Sequence, residues 1–148
     1  MELNRGSAES TLDDKGRVNI PVRFREFFQG ELIITRGMEP YALILTPSAW
    51  ERFEQNFLNS DRFTPEERNA LEELCLNEAS VVEIDSAGRI AIPSLIRKYA
   101  NLSRDCKIIR VENRLSIWDS AAHETYLSEK NPLAKAAMTK LGTHDIFK

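Results

Sequence analysis

The sequence predicts an α+β fold made of one strand-rich unit used twice, with helices around it, and three observations predict it. The stretch LDDKGRVNIP at 12–21 returns as IDSAGRIAIP at 84–93, so that Asp13/Asp85, Gly16/Gly88, Arg17/Arg89, Val18/Ile90, Ile20/Ile92 and Pro21/Pro93 share one offset, about half of the 148-residue chain. After each glycine the apolar residues alternate, which is the period of a half-buried strand, and after each proline they switch to helical spacing. Each half then adds two more apolar runs, giving the same element order twice.

The elements follow in order. Ser10-Thr11-Leu12 and Val81-Val82-Glu83-Ile84 read as short strands leading into a turn. Asp13-Asp14-Lys15-Gly16 and Asp85-Ser86-Ala87-Gly88 suit type I turns, because Asp at the first position accepts hydrogen bonds from the turn backbone and Gly at the fourth tolerates positive φ. Each motif is therefore expected to be a hairpin. VRFREFFQ, with Phe24, Phe27 and Phe28, and SLIRKYANL, with Ile96, Tyr99 and Leu102, read as short helices opened by proline, the first ending at Gly30. Strands are expected at Leu32–Ile34, Ala42–Leu45, Lys107–Ile109 and Leu115–Trp118, joined by turns at Arg36–Pro40 and Glu112–Arg114. Thr46 caps and Pro47 opens a helix with Trp50, Phe53, Phe57 and Leu58 on its apolar face, and Asp119 caps the counterpart SAAHETYL. Thr64-Pro65-Glu66-Glu67 is a capping-box pattern, which predicts a further helix linking the halves. The resulting division is a first unit at 5–58, a linking helix at 59–79, a second unit at 80–128 and a weakly amphipathic, peripheral tail at 129–148.

Composition narrows the function classes. Hydrophobic residues at 42% and charged residues at 29% fit a folded globular chain. There is no apolar run of 18 residues and the start MELNRGSAES is polar, so a cytosolic chain with no membrane partner is expected. Cys75 and Cys106 have neither zinc-site spacing nor a disulfide pattern and read as buried thiols. A net charge of −3 argues against nucleic acid, yet the charge is unevenly spread. Residues 5–25 and 85–98 are each +2, whereas residues 50–83 sum to −6, so basic charge follows the repeat.

Enzymatic chemistry is not expected. The chain has no GxGxxG, GxxxxGK[ST] or GxSxG, and His123-Glu124 begins like HExxH but continues to Leu127 without the second histidine. His123 therefore reads as solvent-facing, with His144 in the tail. No metal, cofactor or small-molecule substrate is indicated. Trp50, Trp118 and the Phe24/Phe27/Phe28 cluster read as core, and Arg23, Arg25, Arg97 and Lys98 as a solvated helix face close to the turns.

Arg17 and Arg89 have two readings. Each can fold back onto Asp13 or Asp85 and close its turn, worth up to about 1 kcal/mol if exposed. Each can also present a guanidinium to guanine O6/N7 or to phosphate, with Lys15 adding a cation to the first turn. Two copies with matching strands favour both roles at once.

With the doubled DxxGR, the trailing Val18-x-Ile20-Pro21 and Ile90-x-Ile92-Pro93, Arg5-Gly6, and Leu43–Pro47 echoed by Leu115–Asp119, the chain resembles the MraZ family of bacterial transcriptional regulators over residues 5–128. The resemblance implies a duplicated AbrB/SpoVT-like swapped-hairpin (double-split β-α-β) β-barrel with peripheral helices. It also implies a ring-shaped homo-oligomer, nucleoid-associated in the cytoplasm, that binds double-stranded DNA at short direct promoter repeats. Those repeats would lie upstream of the division and cell-wall gene cluster, the regulator's own promoter included. Lys15, Arg17, Arg89, Arg5 and Arg23 would contact DNA, and Asp13, Gly16, Asp85 and Gly88 would shape the turns. Ser86-Ala87 stands where the first copy has Asp14-Lys15, so the second turn is expected to stabilise more than it reads. The competing reading is a ring-forming protein-interaction scaffold without DNA readout.

Overall fold

The structure, a computed structural model, describes residues 3–142. It is a mixed α+β fold whose strands are all antiparallel. In chain order the strands are β1 Arg5–Thr11, β2 Arg17–Asn19, β3 Glu31–Arg36, β4 Tyr41–Leu45, β5 Ser80–Glu83, β6 Arg89–Ala91, β7 Asp105–Val111 and β8 Arg114–Asp119. The helices are α1 Val22–Arg25, α2 Pro47–Leu58, α3 Pro65–Leu71, α4 Ser94–Ala100 and α5 Ser120–Leu141, with a π-turn at Glu72–Leu76 following α3. Six strands form one sheet in the order β1-β7-β8-β4-β3-β5, and β2 pairs with β6 in a separate ribbon.

The pairing explains why the hairpins open. Gly16 at φ +78° and Gly88 at φ +84° close the two turns, and each receives the expected bonds: Gly16 N–H donates to Asp13 C=O at 3.0 Å and Gly88 N–H to Asp85 C=O at 2.9 Å. In the first motif, hairpin pairing amounts to one bridge, Leu12 opposite Val18. The strands then leave for partners in the other half: β1 pairs with β7, β5 with β3, and β2 with β6. Each motif turns back on itself as expected, with Asp13 N–H donating to Arg17 C=O and Asp85 N–H to Arg89 C=O at 2.9 Å, but its longer pairings are with the other half. The two copies are tied reciprocally, because Ile20 N–H donates to Gly88 C=O at 2.8 Å and Ile92 N–H to Gly16 C=O at 2.9 Å.

Period-2 alternation decides what lies inside. Val18, Ile20, Ile90 and Ile92 are buried along with Leu32, Ile34, Ile44, Ile108, Leu115 and Ile117, each worth about 1.5–3 kcal/mol of apolar burial. Phe24, Phe28 and Ile96 seal this core from the helices that follow the prolines. Phe27 does not: it is half-exposed, with the Arg110 guanidinium 4.5 Å from its ring centre. Trp50 is half-buried and Trp118 fully buried.

The expected caps are in place. Thr46 accepts from Ala49 N–H, Asp119 from Ala122 N–H, and Thr64 with Glu67 forms a reciprocal capping box. The linking segment docks on β3, where the buried Thr35 hydroxyl donates to Cys75 C=O at 2.6 Å and Arg36 forks onto Glu78 at 2.6 and 2.8 Å.

Two further expectations change, and the peripheral stretch read as a tail is helical. Cys106 is buried, and that burial pushes its thiol up to about 11, but Cys75 is only half-buried. His123 is not solvent-facing, because α5 turns it inward against the edge of Trp118, 5.1 Å between ring centres. Residues 129–141, read as tail, continue α5 through Pro132 with their side chains exposed. His144 lies outside the described residues.

Candidate nucleic-acid interface

The chemistry-bearing residues of the repeat meet on the β2/β6 ribbon. Val18 lies opposite Ile90, and both point into the core. Arg17 lies opposite Ala91 and Arg89 opposite Asn19, so the two arginines sit diagonally on the outer face, about 7–8 Å apart at Cα. Sequence periodicity alone puts them on that face once the valine and isoleucines are inside.

Each arginine is braced by its own turn. Arg17 Nε donates to Asp13 Oδ2 at 2.8 Å and Arg89 Nε to Asp85 Oδ2 at 3.1 Å. The other carboxylate oxygens accept turn N–H groups, those of Lys15 and Arg17 at Asp13 Oδ1 and those of Ala87 and Arg89 at Asp85 Oδ1. The Arg17 N–H bond first, then its guanidinium, holds the Asp13 carboxyl below the usual carboxylate range, and the Arg89 N–H bond does the same for Asp85. Arg89 Nη1 also comes within 4.0 Å of Asp13 Oδ2, which joins the two turns electrostatically.

What remains available is positive. Among the described residues the Arg17 Nη groups and the Lys15 ammonium have no protein acceptor, and Lys15 is exposed at the tip of the first turn. The N–H groups of Asp13, Lys15, Gly16 and Arg17 are consumed internally, which leaves the side chains as the main groups to meet an anion here.

Arg5 and Arg23 are elsewhere. Arg5 begins β1, about 25 Å along the strand from Asp13 at the usual rise per residue, and sits 4.0 Å from Glu112. The Arg23 guanidinium donates to Ser7 C=O and lies over the Phe24 ring. Together with Arg110 and the exposed Phe27 they line an open cleft of about 660 Å³. The structure therefore brings Lys15, Arg17 and Arg89 together and leaves Arg5 and Arg23 apart.

Two arginines read as a solvated helix face prove to belong to the turns. Arg25, from α1, lies against Gly88, and Arg97, from α4, lies against Gly16, so each half covers the glycine of the other. A Cβ at either glycine would run into the guanidinium. The signal was present in the sequence, because Arg25 and Arg97 share the offset of the repeat.

Among the described residues no group of three or more His, Cys, Asp or Glu could hold a metal ion, and none of their helices is long and apolar enough to cross a membrane.

The family model described as MraZ protein matches in two consecutive pieces, residues 3–73 and 75–143. The chain is 34% identical over 136 residues to the transcriptional regulator MraZ of Acetivibrio thermocellus, covering 92% of this chain and 94% of that protein. It is 33% identical over 141 residues to the transcriptional regulator MraZ of Moorella thermoacetica, covering 95% of this chain and 98% of that protein. A match that runs through both copies of the repeat, with relatives aligned nearly end to end, places the chain in the MraZ family.

Proposed function

We propose that this protein is a sequence-specific DNA-binding transcriptional regulator that reads short direct repeats upstream of the division and cell-wall gene cluster, including its own promoter. The observation that carries the reading is the pair Arg17 and Arg89 on one outer face of the β2/β6 ribbon, with Lys15 exposed beside them. The major groove admits a two-stranded ribbon, and a braced guanidinium can fork onto guanine O6/N7. The names of the relatives support the same class. In this reading Asp13, Asp85, Gly16 and Gly88 hold the turns, while Arg5 and Arg23 contact flanking phosphate. The exchange of β1, β5 and the ribbon strands between halves is read as a duplicated swapped-hairpin barrel of units 5–58 and 80–128, joined by 59–79.

One ribbon offers few contacts, so useful affinity requires several protomers on successive repeats, which a ring would supply by making the later contacts effectively intramolecular. The competing scaffold reading rests on the Arg–Asp pairs being purely structural. Titration of wild type, Arg17→Ala and Arg89→Ala against the upstream region of its own operon at two salt concentrations separates the two. Arg17→Ala should keep its melting temperature, because Asp13 retains Arg89 at 4.0 Å, while losing a contact worth about 1–3 kcal/mol per protomer. Across a ring that loss takes binding below detection. Arg89→Ala, which touches both aspartates, should lower stability more and binding less. Normal binding by Arg17→Ala, or binding indifferent to salt, would defeat the proposal.

A further inference from the structure

We infer that Arg97 is a phosphate contact of the first turn, supplied by the opposite half of the chain. The inference rests on the DNA-binding reading and adds to it a residue that the repeat motif does not contain. Arg97 leaves α4 and lies across Gly16, between the turn that carries Lys15 and the strand that carries Arg17. It is half-buried, so its stem is held and its position is set. Among the described residues it has no carboxylate within 4.0 Å and no side-chain hydrogen bond. A fixed, unneutralised guanidinium beside two other cations is unfavourable in the free protein and favourable once an anion arrives.

Its counterpart shows the contrast. Arg25 lies across Gly88 in the same way, but its Nε donates to Ile20 C=O at 2.6 Å and its Nη2 to Asn19 Oδ1 at 3.0 Å. The residue equivalent to Asn19 in the second copy is Ala91, which offers no side-chain acceptor. Arg25 is therefore committed to the protein and Arg97 is not. The turn with Lys15 is also the turn with the uncommitted arginine, so three cations, Lys15, Arg17 and Arg97, gather at the first turn.

The partner this cluster fits is a phosphodiester. Arg17 projects from the outer face of the ribbon, whereas the Arg97 guanidinium lies against the turn backbone at Gly16, the placement of a group that meets the phosphate chain rather than a base edge. Contacts of that kind position the duplex without reading sequence.

The test is the salt dependence of DNA binding by wild type, Arg97→Gln and Arg97→Lys, measured with an operator fragment and with a scrambled fragment of equal length, after melting temperatures are recorded. Arg97→Gln should weaken binding to both fragments by a similar factor, roughly tenfold per engaged protomer. It should also reduce the slope of log K against log salt by about one for each. Arg97→Lys should keep the slope. If wild type binds and Arg97→Gln binds with the same affinity and slope, the inference is overturned while the DNA-binding reading stands. If Gln and Lys weaken binding equally at unchanged slope, Arg97 only packs on Gly16, and the inference is again overturned. Should Arg97→Gln fail to fold, a folded Arg97→Lys with a wild-type slope supports the charge role, and one with a reduced slope defeats it. Wild type that binds neither fragment removes the parent reading as well.

Discussion

Gly16 shows how much one residue can carry. Its φ of +78° is a region that side chains rarely adopt, and the face a Cβ would occupy is taken by Arg97. Backbone strain and steric conflict therefore act together at this position. Gly16→Val is expected to cost about 1–3 kcal/mol or more and to lower Tm by several degrees. Arg17→Ala removes a partly exposed ion pair and should cost less than about 1 kcal/mol. Thermal melts of both variants check the order, and equal Tm values for wild type and Gly16→Val would refute the turn assignment.

At the scale of elements, α5 is docked by its first turns alone. Asp119 caps it, and His123, Trp118 and Tyr126 cluster where it crosses the sheet, with Trp118 in turn stacked on Tyr41. Burial first, then the nearby Lys107, pulls the His123 pKa below its ordinary value, and Glu9 opposes them weakly. Because the folded value is depressed, the unfolded chain takes up a proton that the folded one refuses. Stability is then full above the unfolded histidine value near 6.5 and falls as pH drops through it toward the folded value. Urea unfolding between pH 5 and 8 should show this slope in wild type and a flatter one in His123→Phe. Identical profiles would mean that α5 is not held through a neutral His123.

For the whole molecule, the surfaces left without partners are informative. β1 and β5 are sheet edges, residues 50–83 carry −6, and α5 runs on with Leu133, Met138 and Leu141 exposed. A helical stretch of that length is marginal in water without packing, and open edges invite pairing. These features predict a large homo-oligomer, with acidic and basic faces meeting head to tail. Multi-angle light scattering at micromolar concentration checks it, and a monomer of 16.9 kDa alone would contradict it.

The turns, the caps, most of the strands and the burial of Val18, Ile20, Ile90 and Ile92 were legible in the sequence, because each depends on groups within a few residues of one another. A positive φ demands glycine, an orphan N–H demands an acceptor, and alternation sorts two faces. Strand β1 was only partly legible, since RGSAEST at a sheet edge buries one face and carries little apolar signal. Partner choice was not legible as local pattern at all. Arg5 meets Val111 and Glu31 meets Glu83, and only closure of the whole sheet selects those registers. The same holds for His123 against Trp118 and Phe27 left outside the core. Their neighbours come from distant parts of the chain, so the packing of the two halves, rather than any spacing within one, decided where they stand.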